Sequence, residues 1–229
     1  MVTSVIIPAA GTGKRFNAQI PKQFTLLNDV PIIVHTLKLF DSNPNIDAII
    51  LAVSDEQIER IKLLIAEYAI KKVKEIVIGG SERHFSVQAA LETYSAKISD
   101  VILVHDAVRP FATHTLIDSI IFVAGESGAV IPVVMPKDTI KQVSGDNTVS
   151  LTLNRSELRA AQTPQGFKRD LLMNAYIYAQ NNNISTTDDA SVVEAAGGTV
   201  HTITGEEHNI KITTQLDSIL AGHIINNIL

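Results

Sequence analysis

Val5-Ile-Ile-Pro-Ala-Ala-Gly-Thr-Gly-Lys-Arg15 opens with three β-branched residues and passes directly into small residues and glycines followed by two cations. Its first part reads as a strand buried on both faces, because continuous apolar character without alternation suits a sheet covered on both sides. Four further runs carry the same reading: Ala48-Ile-Ile-Leu-Ala-Val53, Glu75-Ile-Val-Ile78, Val101-Ile-Leu-Val104 and Ala129-Val-Ile-Pro-Val-Val134. Helical patterns lie between them. The clearest puts Ile58, Ile61, Leu64, Ile65 and Tyr68 on one stripe, behind Ser54-Asp-Glu-Gln57, which has the spacing of a capping box. Strands alternating with helices of this length predict right-handed βαβ units in an α/β sandwich whose sheet is mostly parallel.

The rhythm changes after Asp138. Thr139-Ile-Lys-Gln-Val143 and Thr148-Val-Ser-Leu-Thr-Leu153 alternate in polarity around Ser144-Gly-Asp-Asn147, which predicts a hairpin with a four-residue turn. It reads as an arm, at about 137–156, projecting from one domain that spans 1–229. Beyond it the pattern predicts a helix near Lys168–Gln180, a second from about Asp188, a strand at Thr199–Ile203 and a terminal helix from near Thr214.

Composition narrows the chemistry. A chain of 229 residues, 45% hydrophobic, can bury a substantial core without covalent staples. It has no cysteine, which excludes disulfides, thiolate metal sites and cysteine nucleophiles and is compatible with a reducing cytoplasm. No apolar run approaches the ~20 residues of a membrane span, so a soluble cytoplasmic protein is expected. A formal charge of −5 argues against nucleic-acid binding, which favours a basic surface. Phosphate recognition must therefore be local.

The loop Pro8–Arg15 lets backbone N–H groups approach an anion and places two cations beside it. It is not a Walker A loop, since Gly13-Lys14 is followed by Arg15 rather than Ser or Thr, and Phe16 stands where a dinucleotide fingerprint has its third glycine. Alone, it also fits an ordinary strand-to-helix turn. Pro21-Lys22-Gln23 presents a second cation close by in sequence, with a plain surface lysine as the alternative. Val104-His-Asp-Ala-Val-Arg-Pro110 ends a buried strand in an acid followed by a base, where open α/β sheets bind ligands. Asp106 there suits a magnesium ion or a ribose and Arg109 a substrate phosphate, or else the two pair to stabilise the loop. His105 reads as a packed strand-end histidine.

These segments, with Gly79-Gly-Ser-Glu-Arg83, Ser86-Val87, Asp138-Thr-Ile-Lys141, Asn154-Arg-Ser156, Gln162-Thr-Pro-Gln165, Thr187-Asp188 and Asn209-Ile-Lys-Ile-Thr213, occur in an order that resembles the 2-C-methyl-D-erythritol 4-phosphate cytidylyltransferases of non-mevalonate isoprenoid synthesis. The resemblance covers nearly the whole chain. It implies a Rossmann-like three-layer nucleotidyltransferase fold and transfer of a cytidylyl group from CTP, with Mg²⁺, to a small polyol phosphate. It assigns Arg15, Lys22 and Lys211 to the triphosphate and its transition state. Pro8, Ala9, Ala10, Gly11, Gly13, Gly80, Ser81, Arg83 and Ser86 would line the cytidine pocket. Asp106, the candidate magnesium ligand, and Ala107 would meet ribose, metal or acceptor, and Arg109, Thr139, Arg155 and Thr163 the polyol phosphate. It further implies a homodimer in which the arm carries Thr139 and Arg155 into the partner's active site. Ribitol-5-phosphate cytidylyltransferase, with the same nucleotide half, and a non-catalytic nucleotide-binding module are the alternatives.

Overall fold

A computed structural model describes residues 1–11 and 21–227. In chain order the elements are β1 (Thr3–Pro8), β2 (Leu26–Leu27), β3 (Val30–Pro31), α1 (Ile32–Ser42), β4 (Ala48–Val53), α2 (Ile58–Glu67), β5 (Val73–Ile78), α3 (Arg83–Leu91), α4 (Tyr94–Ile98), β6 (Val101–Val104), α5 (His114–Ser127) and β7 (Ala129–Val134). They continue with β8 (Lys141–Val143), β9 (Val149–Thr152), β10 (Ala160–Ala161), β11 (Gln165–Lys168), α6 (Arg169–Asn181), α7 (Asp189–Ala195), β12 (His201–Thr204) and α8 (Gln215–Asn227).

All five apolar runs join one sheet of order β10-β7-β11-β6-β1-β4-β5, with β12 also on β7. β1 pairs in parallel with β4 on one side and β6 on the other, so the carboxyl ends of these strands open on the same edge. Both faces are covered. Val5, Ile7, Ile49 and Leu51 pack beneath Leu37, Phe40 and Ile117, while Ile6, Ile50, Ile102 and Val104 pack under Val87, Leu172 and Val193. That two-sided burial explains why these strands are uniformly apolar. β5 is only partly buried because it is the edge strand.

One expectation fails locally, and one strand had no signal in the sequence. Asp55–Gln57 forms a 3₁₀ turn, and no side-chain cap bond forms from Ser54, so the capping-box spacing is not used. β11, absent from the sequence reading, is inserted antiparallel between β6 and β7. It offers one apolar residue, Phe167, and its Gly166 lies where a Cβ would come within 2.5 Å of Ile120 Cγ2, so the strand is selected by packing rather than by pattern. The turn between β2 and β3 places Asn28 and Asp29 at φ 49° and 61°, a left-handed conformation these two side chains tolerate.

The hairpin forms as β8 and β9, paired only with each other and exposed throughout.

Candidate active site

The sheet edge holding the carboxyl ends of β1 and β6 carries two adjoining cavities. The first, of about 160 Å³, is lined by Pro8–Gly11, Lys22, Gln23, Gly80–Arg83, Ser86, Asp106–Val108 and Lys211. The second, of about 120 Å³, is lined in part by Arg83, Asp106, Arg109, Thr163, Asp188 and Lys211. Arg83, Asp106 and Lys211 face both.

Local chemistry shapes the first cavity. Gln23 is buried and donates from Nε2 to the carbonyls of Ala9 (2.7 Å) and Gly11 (3.3 Å), pinning the residues that directly follow β1. A Cβ on Gly79 would meet Ala10 Cβ at 2.6 Å, so glycine lets this wall approach the segment after β1, and one on Gly80 would meet Phe85 Cβ at 2.3 Å, so glycine also lets the wall pack closely on α3.

Asp106 is the hub. Its Oδ1 lies 3.4 Å from Arg83 Nε, and its Oδ2 lies 3.3 Å from Arg109 Nε and 2.9 Å from Lys211 Nζ. Burial alone would raise its pKa, but Lys211, Arg83 and Arg109 outweigh burial and hold the carboxyl well below the usual carboxylate range. Arg83 also reaches the buried Asp189, with NH2 and Oδ2 2.7 Å apart but not aligned for a hydrogen bond. Arg109 donates from NH1 to the Asn209 carbonyl at 2.8 Å.

The sequence alone did not identify the braces around this hub. Gln162, fully satisfied by the backbone of Glu206 and the carbonyl of Asn209, and Asn209, which donates to the Thr163 carbonyl, fix the segment carrying Lys211 against β10–β11. Gln165 donates to Asp188 and accepts from the backbone of Asp189 and Ala190, while Tyr176 donates to Asp189 at 2.7 Å. Their motif positions were legible, but which polar side chains are buried depends on tertiary packing.

Of the expected site residues, Pro8, Ala9, Ala10, Gly11, Lys22, Gly80, Ser81, Arg83, Ser86, Asp106, Ala107 and Lys211 line the first cavity, and Arg109 and Thr163 the second. Gly13 and Arg15 lie outside the described residues. Thr139 and Arg155 line neither cavity and are exposed, with Arg155 NH1 donating to the Lys137 carbonyl at 2.7 Å.

Asp106, expected to meet magnesium together with the nucleotide, already has cationic partners. Both its oxygens are engaged by cationic donors, Oδ1 by Arg83 and Oδ2 by Arg109 and Lys211. Among the described residues, no group of three or more His, Cys, Asp or Glu side chains is placed to hold a metal.

A profile of 2-C-methyl-D-erythritol 4-phosphate cytidylyltransferases matches residues 3–227. The chain belongs to this family. Cytidylyltransferases of that name from Bacillus cytotoxicus and Alkaliphilus oremlandii are 44% and 45% identical, over 97% of this chain in each case and 97% and 94% of theirs. Among solved structures, 4-diphosphocytidyl-2C-methyl-D-erythritol synthase from Anaerococcus prevotii superposes with a TM-score of 0.82 at 30% identity, covering 99% of both chains. The cytidylyltransferase from Thermus thermophilus gives 0.78 at 30% identity, covering 99% of this chain and 100% of that one. In this cytidylyltransferase no helix of the described residues is long and apolar enough to cross a membrane.

His105 supplies a pH signature. Burial, with Arg109 and Arg83 adding to it against Asp106 and a backbone bond, pushes the imidazole down to about 4. The unfolded chain takes up that proton near pH 6.5 and the folded chain does not until about pH 4, so stability is complete above about 6.5 and declines as pH falls, by about 3 kcal/mol across the window. Asp106 contributes in a separate range, losing its share only as pH falls below the ordinary carboxylate value toward its depressed folded one. Urea midpoints measured from pH 7 to 4 should therefore slope in the native protein and flatten over that window in His105→Phe. Parallel slopes would contradict the assignment.

Proposed function

We propose that the protein transfers the cytidylyl group of magnesium-CTP to the phosphate of 2-C-methyl-D-erythritol 4-phosphate, releasing pyrophosphate and forming 4-diphosphocytidyl-2-C-methyl-D-erythritol. The observation that carries this reading is the cluster of Arg83, Arg109 and Lys211 on Asp106, placed where a glycine-walled nucleotide cavity meets a second cavity sized for a small anion. The base and ribose occupy the wall formed by Ala10, Gly80, Ser81 and Ser86. The acceptor phosphate sits against Arg109 and Lys211, and Lys22, with Arg15, takes the triphosphate.

A phosphate oxygen of the acceptor attacks the α-phosphorus in line, the P–O bond to the β-phosphate breaks, and pyrophosphate departs with the bonding electrons. A monoester phosphate has a second pKa of about 6, so the nucleophile is already ionised at neutral pH and needs no general base. What the site contributes is the positioning of two mutually repelling anions and stabilisation of charge on the α-phosphate and leaving oxygens. Magnesium arrives with the nucleotide as part of the substrate.

Thr139 and Arg155 stand apart from both cavities on or beside the exposed hairpin, which supports their action in the site of a second subunit in a homodimer. Mixing Arg155→Ala with Lys22→Ala subunits should then restore activity up to about a quarter of the native level, because one of the two sites in each hybrid dimer is intact and hybrids make up about half of a random mixture. No recovery after demonstrated subunit exchange would refute the shared site. Pyrophosphate release with methylerythritol, ribitol and glycerol phosphates tests the acceptor: the first should be preferred, and preference for ribitol phosphate would transfer the reading to that relative.

A further inference from the structure

His105 lines neither cavity, yet the hydrogen bonds that shape the second cavity run through it. Its ring is fully buried, edge-on to Phe40 with centroids 4.9 Å apart and planes at 69°. Nε2 lies 2.7 Å from the carbonyl oxygen of Arg109, which can only accept, so Nε2 carries a hydrogen. Nδ1 lies 3.1 Å from Thr163 Oγ1, and that oxygen accepts the backbone N–H of Asp106 at 3.1 Å.

In the neutral ring Nδ1 is an acceptor, and the Thr163 hydroxyl must turn its one hydrogen toward it. The direction of the chain is then set: Asp106 N–H to Thr163, Thr163 O–H to His105, His105 Nε2–H to Arg109. Both ends of the Asp106–Arg109 turn, which is also closed by Arg109 N–H on the Asp106 carbonyl at 3.1 Å, are tied to one imidazole. Lys211 is joined to the same turn through Ile212 N–H on the Val108 carbonyl at 2.9 Å. Because the Thr163 hydrogen is committed inward, the cationic donors of the second cavity are left to meet an acceptor anion.

We propose that His105 is a positioning residue of the transfer reaction: as the Nε2–H tautomer it orients the chain from Asp106 through Thr163 to Arg109, and so sets where Arg109 and Lys211 meet the acceptor phosphate. This rests on reading the second cavity as the acceptor's. A histidine serving packing alone would, on replacement, lower stability and leave the acceptor parameters unchanged.

The test compares His105→Phe, His105→Gln, Thr163→Val and the double variant His105→Phe/Thr163→Val, with steady-state kinetics for each substrate in turn. In His105→Phe, kcat/KM for methylerythritol phosphate should fall about tenfold or more while KM for CTP stays within about twofold. Glutamine, which carries an acceptor and a donor on one planar group, should restore most of the loss. Thr163→Val should reproduce the acceptor-specific defect, and the double variant should be no worse than the more impaired single, since both break one chain. If His105→Phe does not fold, Thr163→Val and His105→Gln decide the matter. A folded variant with native acceptor kinetics, or equal losses for both substrates, would overturn the proposal. Imidazole ¹⁵N shifts of the native protein supply an independent readout: the Nε2–H tautomer is expected, and Nδ1–H would overturn the proposal whatever the kinetics. Absence of native turnover on any phosphate acceptor would instead count against the reading of the reaction.

Discussion

Lys22→Ala is expected to lower kcat by about 100- to 1,000-fold, the usual cost of removing one donor aimed at transition-state charge. Lys22 belongs to a short 3₁₀ turn, Lys22–Phe24, that begins after Pro21 and lines the first cavity. Its neighbours Gln23 and Phe24 supply the buried anchoring, whereas Lys22 itself is only partly buried. Truncation should therefore leave the fold and the loop brace from Gln23 in place while withdrawing a cation as pyrophosphate departs. Because that charge matters more as the bond breaks than in the bound substrate, kcat should fall further than KM for CTP rises. Circular dichroism and thermal unfolding close to native, with turnover largely lost, is the expected pattern. Turnover near the native rate would remove Lys22 from the transition state.

Asp106→Asn separates two accounts of the hub. If the carboxylate serves to hold Arg83, Arg109 and Lys211 in place, its replacement frees three cations from their common counter-charge and should reduce kcat about 100-fold or more. CTP would still bind, because the cavity becomes more positive, and the magnesium concentration giving half-maximal rate would not change. A metal ligand behaves differently: its loss should shift that concentration upward, and excess magnesium should restore activity. Measuring rate against free Mg²⁺ in native and substituted protein distinguishes the two, and rescue by metal would identify Asp106 as a ligand.

This contrast also marks how far the sequence could be read. The strand ending at Val104 and the acid beyond it were legible because a β-branched run must be buried and parallel sheets open at the carboxyl ends of their strands. The meaning of Asp106 was not, because two of its partners, Arg83 and Lys211, lie far from it in the chain and only the fold brings them within 3.4 Å and 2.9 Å. The same limit hid Asp189, which pairs with Arg83, and the ring of His105, whose role depends on which polar atoms face it after burial. β11 escaped because a four-residue strand with one apolar residue has no period of its own. The hairpin was readable from alternation and its turn, while the separation of Thr139 and Arg155 from the cavities needed coordinates.

The central claim, attack on the α-phosphorus of CTP by an acceptor phosphate, is tested most directly by ³¹P NMR of a reaction containing CTP, magnesium and 2-C-methyl-D-erythritol 4-phosphate. The predicted result is a new pair of coupled diphosphodiester resonances and an equimolar amount of pyrophosphate, both absent without the acceptor. Formation of CDP and orthophosphate, or loss of CTP at the same rate with and without acceptor, would contradict it.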